Sequence, residues 1–196
     1  MNPKQLSHHW QYFLFLEKDL INLKNYIEIS EDNFESYSFE LSKILQLACA
    51  EIDSVCRTVC NLIDDENDYF DETKYSGNIQ QYKAVILKVF PKLQQVPIIV
   101  PELENDIIPW KNWNAETPMW WKDYNLVKHY RHTNFRKANL ENTIYALSGL
   151  MVLNLYMIRI SGSDKFALQN FHSKYFDAKY FSPYIVADPK ELPDFE

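Results

Sequence analysis

The run IYALSGLMVLNLYMIRI, Ile144 to Ile160, is apolar around nearly the whole circumference of a helix. A helix with no polar face must be wrapped by others, which predicts the central member of a helical bundle. A membrane span is the competing reading. The run is shorter than the ~20 residues a span needs, and it carries Ser148, Asn154 and Arg159. The bundle is therefore the expectation, with no membrane partner. A chain of 196 residues supports one domain with a real core. Only three glycines occur, where average usage is about 7%. Few glycines mean few sharp turns, favouring helices over sheets and arguing against a Gly-rich phosphate loop.

Periodicity supplies the wrapping helices. Phe13, Leu16, Leu20 and Leu23 recur at helical intervals within a first helix of about 5–26. After the acidic connector EISEDNFESYS, a second helix of about 39–63 carries Leu41, Ile44, Leu45, Ala48, Ile52, Cys56, Val59 and Ile63 on one broad stripe. The acidic DDENDYFDET precedes a third helix, NIQQYKAVILKVF, which stops before Pro91. Pro91, Pro97, Pro101 and Pro109 make 91–117 an irregular, Pro-rich insertion with room for one small hairpin. Thr117 before Pro118 signals the fourth helix, with a hydroxyl cap and then proline at the first helical position. A fifth helix begins near Asn139. The fold class expected is all-α: an up-down bundle of about five helices spanning 1–162. An aromatic and Pro-rich tail, 163–196, packs on it.

Cys49, Cys56 and Cys60 share a stripe of the second helix. Neither a fourth ligand nor a two-residue cysteine gap is present for zinc, so reduced, buried cysteines in a cytoplasmic protein are expected. The start MNPKQLSHHW lacks the basic and apolar segments of a signal peptide. No glutamate stands three residues before a histidine, which removes the di-iron bundle pattern. No cofactor and no metal are expected.

The densest chemistry lies in MWWKDYNLVKHYRHTNFRKANLEN, residues 119–142. On an ideal helix Asn125, His129, His132 and Trp121 share a face. Lys128 lies about 60° to one side, and Tyr124 and Arg131 form a second stripe. Lys122, Lys128, Arg131, Arg136 and Lys137 oppose only Asp123, in a chain of net charge −7. Any nucleic-acid contact is thereby confined to this patch. Trp120 and Trp121 are read as core, with base stacking the alternative. Asp53 and Glu51 edge the second helix's apolar stripe. An edge carboxylate pairs with a neighbouring cation, and Arg131 or His129 is the partner expected for Asp53.

The segment WWKDYNLVKHYR, followed by a long apolar helix and preceded by the helix LACAEIDSVCRTVCNLID, resembles the HEPN superfamily. These are helical-bundle domains of prokaryotic defence and toxin systems, many of them metal-independent ribonucleases. Their signature is an arginine, a polar residue, usually three more positions, and a histidine at the start of a late helix. The histidine matches His129 and the polar residue Asn125, while the arginine position is Tyr124, a departure from the pattern. Arg131 lies two turns on from Tyr124, roughly 10 Å along the axis. The resemblance covers the second, fourth and fifth helices. It implies a homodimer, an RNA substrate, an operon-encoded partner, and products ending in a 2′,3′-cyclic phosphate.

On that reading His129 is the general acid or base, with Asn125 and Arg131 completing the catalytic set and Arg131 stabilising phosphate charge. Lys128, His132, Tyr124 and Lys122 bind substrate, and Asp53 and Glu51 orient the cations. The alternative function is a degenerate HEPN-like binding or dimerisation module without nuclease activity, in which His129 is a half-buried ring that caps helix carbonyls.

Overall fold

The computed structural model describes residues 3–64, 77–161 and 172–178. Its five helices are α1 (Pro3–Leu23), α2 (Phe39–Ile63), α3 (Ile79–Val89), α4 (Met119–Asn134) and α5 (Leu140–Ile160). The fold is all-α, with a single two-stranded sheet among the described residues. The acidic stretch 65–73 and most of the tail, 162–171 and 179–196, lie outside the described residues.

α5 is the centre. It is the one helix among the described residues long and apolar enough to cross a membrane, and 83% of its apolar window is buried inside the bundle. α2 packs along it, and α1 and α4 complete the wrapping. The α2 stripe is fully committed, since Leu41, Ile44, Leu45, Ala48, Ile52, Val55, Cys56 and Val59 are all at most 1% exposed. Each large aliphatic side chain so buried contributes about 1.5–3 kcal/mol. Ser38 starts α2 by accepting the Leu41 N–H at 3.1 Å, a cap of the kind that stabilises a helix by about 1 kcal/mol. Asn78 and Gln81 form a capping box on α3, and the Asn139 side chain caps α5 through the Asn142 N–H.

Cys49, Cys56 and Cys60 are free and buried. Burial raises all three thiols, Cys60 to about 12. Because the thiolate is the reactive form, native protein should react with a thiol reagent at all three positions only as fast as it unfolds. Rapid stoichiometric labelling would contradict this packing.

Three expectations change. α1 ends at Leu23, short of 26, because the chain turns at Lys24–Tyr26 and leaves Tyr26 87% exposed, with nothing for a further helical turn to pack on. Thr117 does not cap α4. Pro118 itself occupies the cap position with no side-chain bond, and the Thr117 hydroxyl accepts from Gln80 Nε2, tying the start of α4 to α3. The insertion holds no hairpin of its own beyond an isolated Ile98–Ile107 bridge. Its strand β1 (Ile98–Ile99) instead pairs antiparallel with β2 (Asp177–Ala178). Val96, Ile98 and Val100 alternate into the core, which is the period-two pattern of a strand.

The partner β2 is held by a buried carboxylate. Glu17 of α1 is 1% exposed and accepts the N–H groups of Lys174 and Tyr175 at 3.0 and 3.2 Å, together with the Ser173 hydroxyl. Removing a buried acceptor strands those donors, at about 1–3 kcal/mol. Glu17→Leu should therefore release segment 172–178. Amide exchange at Tyr175 and Phe176 should rise at least tenfold while exchange within α2 and α5 stays the same; unchanged protection at Tyr175 would refute the tie.

Candidate functional site

α4 is positioned by its aromatic inner face. Trp120 and Trp121 are 3% and 8% exposed. Trp120 Nε1 donates to the Pro109 carbonyl at 2.8 Å, and its ring meets Trp110 edge-on with centroids 5.1 Å apart. Both tryptophans are core. A second anchor is Asp123, buried at 5% and absent from the set of expected positions. Its Oδ2 accepts from Asn142 Nδ2 at 3.0 Å and pairs with Lys137 at 3.2 Å, locking α4 to α5. A buried carboxylate is tolerated because both partners satisfy it. Its spacing from Asn142 and Lys137 follows no helical period, so no sequence signal marks it.

The helix is not straight. Tyr130 has φ −136° and ψ 42° inside α4, a break in helical geometry. The face drawn on an ideal helix holds only as far as His129, and Arg131 and His132 are aimed by the kink instead. Even so, Lys128, His129, Arg131 and His132 line one open groove of about 560 Å³ between α4 and α2, with Gln46 and Phe39 on the α2 side and Phe135 just past the end of α4. All four of these groups are exposed. Phe39 is 79% exposed, and its ring stacks on Phe135 at 4.9 Å between centroids.

His129 makes no hydrogen bond and no ion pair among the described residues. Its nearest ring neighbour is Tyr130, at 6.4 Å between centroids. The carbonyl-capping role is thus not what this side chain does. Lys128 and Arg131 likewise have no carboxylate partner among the described residues. Lys122 pairs with Glu116 at 3.3 Å and Lys137 with Asp123, while Arg136 lies over the Tyr37 ring at 5.6 Å. The basic patch of 122–137 therefore reduces to Lys128 and Arg131 as cations open to a ligand in this groove. Lys122, expected among the binding residues, lines neither this groove nor the next.

Asn125 and Tyr124 face a neighbouring groove of about 520 Å³, which Lys128 shares. Asn125 gives its amide to the Trp121 carbonyl at 2.9 Å. Tyr124, at the position where the resemblance expects arginine, is 6% exposed, and burial pushes its phenol up to about 12. It is a neutral side chain with Lys128 Nζ 5.7 Å above its ring, a cation–π contact.

The carboxylates do not orient the α4 cations. Asp53 accepts from Arg57 Nε at 3.0 Å and from the Tyr82 hydroxyl at 3.0 Å. Glu51 meets His9 Nδ1 at 2.5 Å, binding α1 to α2. Each carboxylate has a nearer partner, Asp53 the Arg57 guanidinium one turn on along its own helix and Glu51 the His9 ring across the bundle. Among the described residues no three His, Cys, Asp or Glu side chains gather to hold an ion. Three comparisons, with protein-family models, with curated proteins and with solved structures, give no match to this chain.

Proposed function

We propose that the α2–α4 groove binds single-stranded RNA and cleaves it without a metal, as the resemblance to HEPN ribonucleases implies. The observation that carries this reading is the grouping of two exposed imidazoles, His129 and His132, with Lys128 and Arg131, cations without a carboxylate partner among the described residues, beside the exposed ring of Phe39 and the half-buried ring of Phe135. Imidazole trades protons near neutral pH. His129 removes the ribose 2′-hydroxyl proton, and the 2′-oxygen attacks the adjacent phosphorus. The 5′-oxygen then leaves with a proton from His132 or water. Arg131 stabilises charge on the phosphorus oxygens, and Phe39 and Phe135 offer faces on which unpaired bases stack. Asn125, lying in the next groove, acts in substrate placement.

A second reading is favoured by Tyr124. A neutral, buried phenol stands where such nucleases place a phosphate-binding arginine, and the groove then serves as a binding surface alone. Incubating purified protein with structured and unstructured RNA in EDTA separates the two. Cleavage to 2′,3′-cyclic phosphate ends supports the nuclease; binding without cleavage moves the assignment to the binding module. A homodimer joined through α4 would set two such grooves side by side. Light scattering at micromolar concentration should then give about twice the 23.4 kDa chain mass, and a monomer would remove the dimer.

A further inference from the structure

We infer that Arg57 of α2 and Lys128 of α4 form a second phosphate subsite, so that the furrow between the two helices binds an RNA strand across more than one nucleotide. This rests on the RNA reading of the same furrow. Low-numbered α2 residues, Phe39 and Gln46, sit opposite the late α4 residues Arg131 and His132 and Phe135 just beyond them. Later α2 residues, Ala50, Asp53 and Arg57, sit opposite earlier α4 residues, Trp121, Tyr124 and Asn125, with the entry to α3, Gly77 to Ile79, closing that end. The helices therefore run antiparallel along one line, and the two grooves are successive stretches of it with Lys128 common to both. From Gln46 to Arg57 the line extends roughly 16 Å at the helical rise, room for several atoms of backbone beyond the nucleotide at His129.

The second stretch carries two cations, Arg57 and Lys128, against the one carboxylate of Asp53 among its lining residues. Asp53 fixes the Arg57 guanidinium through Nε, and the Tyr82 hydroxyl fixes Asp53, so the direction of the guanidinium is set before a ligand arrives. Arg57 keeps 25% of its side chain exposed. Tyr82 also hydrogen-bonds Arg57, and the guanidinium N–H donors left over by Asp53 and Tyr82 are of the kind that suits phosphate oxygens. Lys128 supplies the second charge, and Asn125 a polar amide beside it. Arg57 thus brings to the Tyr124 end of the groove the cation that position 124 lacks, from another helix.

The test uses the full chain with a 2′-O-methyl nonanucleotide, which cannot be cleaved because its attacking hydroxyl is blocked. Binding is titrated across salt for wild type, Arg57→Gln, Ala50→Glu and Arg131→Ala. Arg57→Gln keeps a hydrogen-bonding partner for Asp53, and Ala50 is exposed, so its replacement tests the groove without touching the core. Arg57→Gln should weaken binding about threefold to tenfold and flatten the log–log salt slope by about 0.7, the value for one phosphate contact on a single strand. Ala50→Glu should weaken it at least as much by placing a negative charge in the track. If neither variant changes affinity or slope while Arg131→Ala weakens binding, the subsite is overturned and the His129 groove stands. If wild type does not bind the nonanucleotide, both fall.

Discussion

Replacing His129 with alanine should abolish RNA cleavage in EDTA and leave the melting temperature close to that of the wild type. General acid–base catalysis contributes about a hundredfold or more, so the loss should be plain. The ring is exposed and makes no hydrogen bond among the described residues; surface substitutions of that kind change stability by no more than about 0.5 kcal/mol. Activity and stability thus separate at this position, which a ring that capped carbonyls would not permit. Arg131→Ala should also impair cleavage, through lost stabilisation of charge on the phosphate. Lys128→Ala should mainly weaken binding and flatten its salt dependence, because it is the cation both grooves share. Cleavage that continues at the wild-type rate in His129→Ala would end the catalytic assignment.

Most of the bundle was legible because its signals are local. The α2 stripe, the start of α5 near Asn139 and the circumferential apolarity of α5 each follow from one helix considered alone, and the structure places all three as expected. What stayed hidden depends on contacts between distant segments. The pairing of Ile98–Ile99 with Asp177–Ala178 joins residues far apart in the chain, and nothing in either short segment names the other. The same holds for Glu17 and 173–175. At the site, an ideal helix was enough to group Lys128 with His129, but the break at Tyr130 decides where Arg131 and His132 lie. A single non-helical residue re-aims every side chain after it, and β-branched, proline or glycine signals that would have marked it are lacking there. Arg57 was missed for a related reason: its value depends on Lys128 facing it from another helix, and alone it reads as an ordinary partner one turn from Asp53.

The largest expected loss of stability lies in the insertion, at Trp110. This indole is fully buried, stacks at 4.2 Å between centroids with Trp113, meets Trp120 edge-on, and donates Nε1–H to the Gly149 carbonyl at 3.0 Å. Irregular chain has no ladder of its own to hold it, so this contact with α5 fastens 109–115 to the bundle together with the Trp120–Pro109 hydrogen bond and the ties of Asn114 to Gln94 and Lys83. Gly149 is part of the fit: a Cβ there would stand 3.2 Å from Trp120 Cζ2 and 3.4 Å from Trp110, so any side chain at 149 would push the Trp120 ring back by a few tenths of an ångström. Trp110→Ala should destabilise the chain by about 3–5 kcal/mol through the cavity it leaves. That is a large share of the roughly 5–15 kcal/mol by which a domain is stable. With about 2–4 °C lost per kcal/mol in a chain of this size, the melting temperature should fall by about 6–20 °C. Trp110→Phe keeps most of the packing and loses the indole hydrogen bond, a net cost of about 0.5–1.5 kcal/mol because the Gly149 carbonyl keeps its partner within α5, so it should fall between wild type and alanine. α4 rests on the same indole, so RNA binding by the folded Trp110→Ala protein should weaken as Trp120 loses its neighbour. If Trp110→Ala melts within about 2 °C of wild type, equivalent to less than about 1 kcal/mol, the indole cluster does not anchor the insertion, and the segment is held by β1 and by its other hydrogen bonds, such as those of Asn114 with Gln94 and Lys83.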